Sequence, residues 1–309
     1  MSNTFAGTDF ITIQDKTREE LEIVMDKARQ MEQYRQVGTN SARGHLMGDL
    51  FFEPSTRTRM SFQAAMKRLG GDTVGFPSPE GSSVQKGETL ADTLRTVSEY
   101  VDILVLRHPD EDSAELAADL LEIPVMNGGA GSESHPTQTL LDLYTIRKEL
   151  GEIDGKTVAL VGDLKYSRTT RSLARALTRF DVELIFSSPD QLRMKEDVLL
   201  ELEDSGLSHK ETDDLEAAAA EADLVYATRI QKERFPEVSD YEEVAGVYEI
   251  DRELLEKCGE PLLLHPLPRV NEVNTDVDDM ENTVFFDQAG NGVPVRMALI
   301  SLLLDLSDR

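Results

Sequence analysis

The chain contains 309 residues, with 32 Lys and Arg against 59 Asp and Glu, so its formal net charge at pH 7 is −27. This length is typical of two domains with a large buried core, and the charge disfavours a nucleic-acid-binding protein. Because concentrated salt screens the repulsion between acidic groups, we expect a halophilic protein, with a merely acidic mesophilic enzyme as the alternative.

Cysteine usage and the N-terminal stretch point to a soluble cytoplasmic protein. The single cysteine, Cys258, has no internal disulfide partner, and no Cys/His cluster has the spacing of a zinc site. The N-terminal stretch lacks the basic and apolar regions of a signal peptide, and the apolar runs are too short to cross a membrane.

The first half of the chain alternates predicted helices and strands. A helix over 17–36 begins with a capping box formed by Thr17 and Glu20. Its apolar face is predicted to be Leu21, Val24, Met25 and Ala28. Further along, strands are predicted at 46–52, 72–76, 102–106 and 123–126, and helices before Gly70, at 88–100, at 113–121 and from 135 to about 150.

The junction after the first strand carries groups that suit an anion. Glu53-Pro54 ends the strand, and the run Ser55-Thr56-Arg57-Thr58-Arg59 leads into a helix. First-turn N–H groups have no intrahelical partners, and arginine forks match phosphate oxygens. The junction therefore predicts a phosphate cradle with two arginines, the alternative being a capped helix with solvated arginines. The helix's buried stripe is predicted to be Met60, Ala64, Met66 and Leu69.

The second half repeats the alternation after a boundary predicted at 151–156. Strands are predicted at 157–161, 182–186, 224–227, 262–264 and 284–286, helices at 168–180, 192–202, 212–221 and 288–306, and a charged loop at 232–249. The pattern predicts an α/β fold with two doubly wound domains, each with a mainly parallel sheet, and a site in the cleft between them. The first domain is predicted at 1–150 and the second at 151–287, with the final helix, 288–309, packing back onto the first.

Polar side chains follow several of these strands, where ligands of parallel sheets bind. Arg107 follows the third strand, and His135 opens the helix after the fourth. In the second half, Arg168 and Arg229 follow two strands in the same way. A helix-capping or core role for His135 and a surface ion pair for Arg229 remain the alternatives.

Seven motifs that occur in a fixed order carry a resemblance to a known family. They are Ser55-Thr-Arg-Thr-Arg59, Ser82 to Lys86 before Gly-Glu-Thr-Leu-Ala-Asp-Thr, Arg107-His-Pro, His135-Pro-Thr-Gln138, Gly162-Asp-Leu-Lys-Tyr-Ser-Arg168, Thr228-Arg229-Ile-Gln231 and His265-Pro-Leu-Pro-Arg269. Together the chain resembles the catalytic chains of the aspartate carbamoyltransferase family, over essentially its whole length. The resemblance implies condensation of carbamoyl phosphate with L-aspartate, an early step of pyrimidine biosynthesis.

The resemblance also implies roles for residues of the first half. The phosphate site would consist of Ser55, Thr56, Arg57, Thr58 and Arg107. The donors to the carbamoyl oxygen, which would stabilise the oxyanion, would be Thr58, Arg107 and His135. The carbamoyl amino group would be held by Gln138 and by the backbone carbonyls of Pro266 and Leu267.

The aspartate side of the site follows from the same resemblance. The two substrate carboxylates would be held by Arg168 and Arg229, with Gln231 beside them and Lys165 close to the α-carboxylate. Ser82 would bind carbamoyl phosphate, and Lys86 would be catalytic and contact both substrates. In the family their loop reaches into the neighbouring subunit's site, which implies a homotrimer with shared active sites.

The resemblance implies no metal, organic cofactor or acid–base side chain, because the departing phosphate can accept the amine's proton. Alternatives that remain are a carbamoyltransferase for another amino acid such as ornithine, and a non-catalytic two-lobed metabolite-binding or scaffold homologue. Zinc-bearing regulatory chains, which many relatives have, are an open question, and neither a nucleic acid nor a membrane is expected as a partner.

Overall fold

The computed structural model describes residues 3–79, 87–131, 135–230 and 248–306. By their internal contacts the residues divide into two units, one of Met1–Tyr144 with Asn291–Arg309 and one of Thr145–Gly290. No helix in the described parts of the chain is long and apolar enough to span a membrane.

The first unit is built on a four-stranded parallel sheet. Its strands are β1 (Leu46–Phe51), β2 (Asp72–Phe76), β3 (Ile103–Arg107) and β4 (Val125–Asn127), in the order β2-β1-β3-β4. The described helices that begin in it are α1 (Arg18–Met31), α2 (Tyr34–Val37), α3 (Thr56–Arg68), α4 (Leu90–Ser98), α5 (Ser113–Leu120) and α6 (Pro136–Leu150). β3 is buried along its whole length, as expected of a central parallel strand covered on both faces.

The capping box predicted at the start of α1 is confirmed. The Thr17 N–H donates to Glu20 Oε2 at 2.8 Å, and the Glu20 N–H donates to Thr17 Oγ1 at 3.2 Å. These reciprocal bonds satisfy two N–H groups that a helix start otherwise leaves without partners. The predicted apolar face is also confirmed, because Leu21, Val24, Met25 and Ala28 are all buried.

The buried stripe predicted for α3 is wrong at Met60 and at Ala64, which is only half-buried. Met60 is 63% exposed, whereas Phe62 is fully buried. The buried positions of the helix are Thr58, Phe62, Ala65 and Met66, followed by Leu69 at the C-cap. Because residues two apart lie on different helix faces, the inward orientation of Phe62 turns Met60 outward. The same phase buries Thr58, a residue of the predicted cradle.

The second unit is built on a five-stranded parallel sheet. Its strands are β5 (Lys156–Gly162), β6 (Val182–Ser187), β7 (Ser208–Thr212), β8 (Leu224–Thr228) and β9 (Leu262–Leu264), in the order β7-β6-β5-β8-β9. Its described helices are α7 (Arg168–Leu177), α8 (Glu196–Ser205), α9 (Leu215–Glu221) and α10 (Arg252–Lys257). A last helix, α11 (Phe285–Leu303), begins in this unit and ends in the first. The predicted fold class, α/β with two parallel sheets, is confirmed.

The second unit differs from the predictions at one strand that was missed and at two elements that were predicted wrongly. β7 was not predicted, because this edge strand is short, polar and mostly exposed and has no buried run to mark it. The strand predicted at 284–286 is instead the start of α11, although the Val284 N–H still bonds the Leu263 carbonyl at 3.1 Å. The helix predicted at 192–202 begins only at Glu196, after a separate 3-10 turn at Asp190–Leu192.

Candidate active site

In the first unit, the candidate site lies where β1 ends and α3 begins. β1 ends at Phe51 opposite Arg107, the last residue of β3, and the Phe52 N–H donates to the Arg107 carbonyl at 2.8 Å. Ser55 then occupies the N-cap of α3 with an extended backbone, and its side chain caps no N–H in the described structure. The first-turn N–H groups and the positive end of the helix dipole are therefore left for an anion or for water.

The side chains of this junction differ in exposure. Thr58 is 7% exposed, Ser55 is half-buried, and Thr56 and Arg57 are exposed. Hydroxyl and guanidinium donors therefore extend from a buried position at the first helical turn out to the surface. Such a graded set can surround a phosphate on several sides.

Arg59, the second arginine of the predicted cradle, pairs with a buried carboxylate instead. Its Nε lies 2.7 Å from Oδ2 of Asp49, a residue of β1 whose side chain is fully buried. Gln63 Nε2 donates to the same oxygen at 2.7 Å. Burial raises the pKa of Asp49, opposed by the charge of Arg59 and the bond from Gln63. The interpretation that both arginines serve the cradle is thus corrected, and Arg57 remains the arginine predicted for it.

Arg107 lies at the end of β3 and is only 9% exposed. Its Nη1 donates to the Gly128 carbonyl at 3.2 Å, and its Nη2 lies 3.4 Å from Glu53 Oε2. Burial lowers the pKa of Arg107, and the charge of Glu53 opposes this shift. Nε is buried and bonds to no group in the described ranges. The guanidinium is therefore held in one orientation with a donor remaining for a ligand.

His108, next to Arg107, packs against Phe52, the residue that follows β1. Its ring packs edge-on against Phe52 with centroids 4.8 Å apart, and its Nδ1 accepts from the Asp110 N–H at 3.1 Å. Burial lowers the pKa of His108, opposed by the charges of Asp110 and Glu53. A ring nitrogen that accepts a hydrogen bond belongs to neutral imidazole, so His108 adds no charge here.

His135 stands at the start of α6, the third element after the β3 strand that ends in Arg107. Its carbonyl accepts from the N–H groups of Gln138 at 3.0 Å and Thr139 at 3.1 Å, which begins the helix. Pro136 follows as the first helical residue, a position where a missing N–H costs nothing. The His135 side chain is 6% exposed. A buried imidazole is thus carried by a helix start, as the sequence predicted for its position.

Two buried charged residues around α6 were not predicted. Gln138 Nε2 donates to Asp142 Oδ1 at 2.9 Å, and Asp142 is fully buried. Arg296 of α11 is 2% exposed, and its guanidinium contacts α3 and α6 through Ser61 Oγ at 3.0 Å and Thr137 Oγ1 at 3.4 Å. Burial lowers the pKa of Arg296 to about 10, opposed by the charge of Asp142. The available signals were charged residues inside apolar helical patterns.

In the second unit, the candidate arginines follow neighbouring strands. β5 and β8 pair as far as Gly162 and Thr228; Arg168 then opens α7, and Arg229 directly follows β8. Gly162 has φ +105°, and a Cβ there would lie 2.3 Å from the Thr228 carbonyl oxygen, so glycine is required. Both arginines are half-buried. The strand pairing thus brings the segments that carry Arg168 and Arg229 to the carboxyl ends of two neighbouring strands.

The turn between β5 and α7 is held by its own hydrogen bonds. The Tyr166 N–H donates to Asp163 Oδ1 at 2.8 Å, and Arg171 Nη1 donates to the Lys165 carbonyl at 2.9 Å. Lys165 itself is exposed, with its ammonium 5.3 Å from the Tyr166 ring centroid. The turn therefore fixes the start of α7, where Arg168 stands, while the Lys165 side chain remains at the surface.

The segment after β9 turns around a buried histidine, His265. His265 Nδ1 accepts from the Leu267 N–H at 2.8 Å, and its Nε2 lies 2.9 Å from Glu272 Oε1. These contacts assign the proton to Nε2 of a neutral ring. Leu267 has φ +59°, a conformation that side chains rarely adopt. His265 thus holds the turn that contains Pro266 and Leu267.

Three predicted site residues lie outside the described residues: Ser82, Lys86 and Gln231.

Comparisons with known proteins match both units. Residues 8–148 match the family described as aspartate/ornithine carbamoyltransferase, carbamoyl-P binding domain, and residues 154–303 match the one described as the Asp/Orn binding domain. The aspartate carbamoyltransferase catalytic subunit of Thermococcus gammatolerans is 51% identical over 301 residues, covering 96% of this chain and 98% of that protein.

Solved structures give the same result. The catalytic subunit of M. jannaschii aspartate transcarbamoylase has a TM-score of 0.91 at 46% identity, covering 96% of this chain and 98% of that one. Aspartate transcarbamoylase from Trypanosoma cruzi, in complex with carbamoyl phosphate and aspartate, has a TM-score of 0.92 at 38% identity, covering 98% of each chain. The chain therefore belongs to the aspartate carbamoyltransferase catalytic subunits of the aspartate/ornithine carbamoyltransferase family.

Proposed function

We propose that the chain transfers the carbamoyl group of carbamoyl phosphate to the amine of L-aspartate, giving N-carbamoyl-L-aspartate and phosphate in an early step of pyrimidine biosynthesis. The observation that carries this proposal is the uncapped start of α3 beside the buried Arg107. Both features suit a phosphate dianion, since one supplies backbone N–H groups and the other an oriented guanidinium.

The first domain, 1–150 with the C-terminal segment 288–309, binds carbamoyl phosphate. The residues that contact its phosphate group are Ser55, Thr56, Arg57, Thr58 and Arg107. Thr58, Arg107 and His135 also donate to the carbamoyl oxygen, and all three are buried. Buried donors stabilise a developing oxyanion better than exposed ones, because less water competes for the charge.

The reaction then depends mainly on the positions of the two substrates and on stabilisation of the negative charge that develops on the carbamoyl oxygen. The aspartate nitrogen forms a bond to the carbamoyl carbon, and the negative charge moves to the carbonyl oxygen. The bond from carbon to the phosphate oxygen breaks with its electron pair, and the departing phosphate accepts the proton that the amine loses. Gln138 and the carbonyls of Pro266 and Leu267 hold the carbamoyl amino group during these steps.

The second domain, 151–287, binds aspartate. Arg168 and Arg229 bind its two carboxylates, with Gln231 beside them. Two guanidinium groups at the ends of neighbouring strands favour a substrate with two carboxylates. The same charges would repel the side-chain ammonium of ornithine, so the arrangement supports aspartate as the acceptor.

The protein acts as a homotrimer in a salt-rich cytoplasm. Ser82 and Lys86 reach the site of a neighbouring subunit in a homotrimer, and Lys86 contacts both substrates. The protein works in a salt-rich cytoplasm, since its net charge of −27 requires screening. A melting temperature that stays constant from dilute buffer to concentrated KCl would contradict this dependence on salt.

The test is a carbamoyl-transfer assay in concentrated KCl, with L-aspartate and L-ornithine offered in parallel. We expect carbamoyl aspartate, a KM for aspartate that rises roughly 30-fold in Arg229→Ala, and loss of turnover in Lys86→Ala. Arg193→Ala, which removes an exposed arginine of the same unit, is the matched control and should behave as wild type. Transfer to ornithine alone would overturn the proposal.

A further inference from the structure

We propose that Asp142 is a positioning residue that fixes the orientation of the Gln138 amide, and that the buried Arg296, which contacts the same helix at Thr137, compensates the charge of Asp142. The pair thereby lets the site distinguish the amino group of carbamoyl phosphate from the methyl group of an acyl phosphate. This inference rests on the proposed function, because it deepens the role given there to Gln138.

The hydrogen bond to Asp142 sets the orientation of the Gln138 side-chain amide. An ionised carboxylate only accepts hydrogen bonds, and Asp142 Oδ1 lies 2.9 Å from the Gln138 side chain. The amide nitrogen must therefore face Asp142. Gln138 Oε1 then faces away, and no group within the described residues donates to it. An oxygen left in this way is an acceptor for an N–H of the substrate.

The buried cation Arg296 stabilises the charge of Asp142. Asp142 is fully buried, and a carboxylate in such a place needs a compensating charge. Arg296 attracts it across the interior of the unit. The guanidinium is itself fixed, because it donates to the Gly292 carbonyl at 3.3 Å and lies 4.7 Å from the centre of the Phe62 ring.

The space for Arg296 is reserved by a glycine. A Cβ at Gly292 would lie 2.3 Å from Arg296 Nη1 and 3.1 Å from Ser61 Oγ. Any larger residue would therefore displace the guanidinium or α3. Through Ser61 on α3 and Thr137 on α6, Arg296 connects the two helices whose first turns carry the predicted ligands of carbamoyl phosphate.

The chemical consequence is selectivity for a donor group. Carbamoyl phosphate carries NH2 where acetyl phosphate carries CH3, and only NH2 can donate to Gln138 Oε1. A reversed amide would place its own N–H groups against the substrate amine, and two donors repel. Losing the fixed orientation should therefore weaken the binding of carbamoyl phosphate. The binding of acetyl phosphate and inorganic phosphate should change little.

The experiment compares calorimetric binding of carbamoyl phosphate, acetyl phosphate and inorganic phosphate by the full chain. We expect the wild type to prefer carbamoyl over acetyl phosphate, and Asp142→Asn to reduce that preference about tenfold. The two side chains have the same shape, but the amide of the variant accommodates either orientation of the Gln138 side chain. Glu149→Gln, which removes an exposed acid from the same helix, is the matched control and should keep the preference.

The three binding measurements distinguish a positioning role of Asp142 from a purely structural one. Equal losses for all three ligands would make Asp142 a purely structural residue and overturn the inference, as would an unchanged preference in the folded variant. If Asp142→Asn does not fold, the wild type still gives an answer, because equal binding of carbamoyl and acetyl phosphate contradicts an oriented acceptor. A chain that shows the preference without carbamoyl transfer would refute the proposed function and retain the positioning role.

Discussion

The two candidate half-sites differ in how deeply their arginines are buried. Arg107 is 9% exposed and is held by a carbonyl and a carboxylate, whereas Arg168 and Arg229 are half-buried. A buried guanidinium acts in a low dielectric and cannot swing away. A half-buried one is screened by water, so its charge acts on a ligand more weakly. Under the proposed function, the buried guanidinium is the one that meets the developing oxyanion, and the half-buried ones bind the carboxylates of the second substrate.

The same contrast applies to ion pairs away from the ligands. In the first unit, Asp49 is fully buried against Arg59. In the second, Arg193 pairs with Asp190 at 2.7 Å, but these side chains are 49% and 77% exposed. Water therefore competes with the second pair far more than with the first.

The largest expected effect is that of Arg107→Ala. It removes the oriented donor that we propose for both the phosphate and the oxyanion, so we expect turnover to fall by roughly 10²–10³. Stability should change little, because the variant also removes a buried cation whose ionisation burial opposes. Steady-state kinetics and thermal melting measure the two effects. Arg95→Ala, at an exposed arginine of α4, is the control, and equal losses in both variants would contradict the role of Arg107.

The next effect concerns stability and tests the comparison of ion pairs. Arg59→Met keeps the apolar stem but leaves the buried Asp49 carboxylate with Gln63, so we expect a loss of about 3 kcal/mol in the free energy of unfolding. Arg193→Met should cost less than about 1 kcal/mol. Urea denaturation at fixed KCl gives both values. Rising KCl should reduce only the second, and equal costs would show that burial does not separate the two pairs.

The sequence was sufficient for the parts of the fold that depend on local pattern. β1 and β3 were predicted within one residue of their observed bounds, because strands buried on both faces form nearly continuous apolar runs. β7 was missed because an edge strand needs no such run. The short apolar run at 284–286 could not reveal by itself that α11 begins there.

The candidate site was predictable only where chemistry and position coincide along the chain. The junction at Ser55 to Thr58 has a strand end, a proline and hydroxyls in succession, so the sequence alone located it. Arg296 and Thr137 are 159 positions apart, and no local pattern predicts that they touch. Arg59 shows the converse, since its neighbours suggested a ligand role and a tertiary contact with Asp49 gave it another.

The smallest expected effect tests whether a neutral partner can replace a cation beside a half-buried carboxylate, that of Glu272. Glu272 is paired with His265, whose ring is neutral, and also accepts from the Val270 N–H at 3.0 Å. Burial raises the pKa of Glu272, but the bonds from His265 and the backbone more than offset this, so the pKa lies below its ordinary value of 4.5. The unfolded chain therefore binds more protons between the two pKa values.

It follows that the Glu272 carboxylate stabilises the fold fully above pH 4.5 and loses this contribution as the pH falls through the folded-state pKa. We expect Glu272→Gln to cost about 1 kcal/mol near neutral pH and nothing measurable in strong acid, by urea denaturation over a pH series. Glu281→Gln, at an exposed acid nearby, should show no such pH dependence. A cost that stays constant with pH would mean that the neutral histidine and the backbone do not favour the charged form, and that the Glu272 carboxylate would need a cation, as the buried Asp49 has.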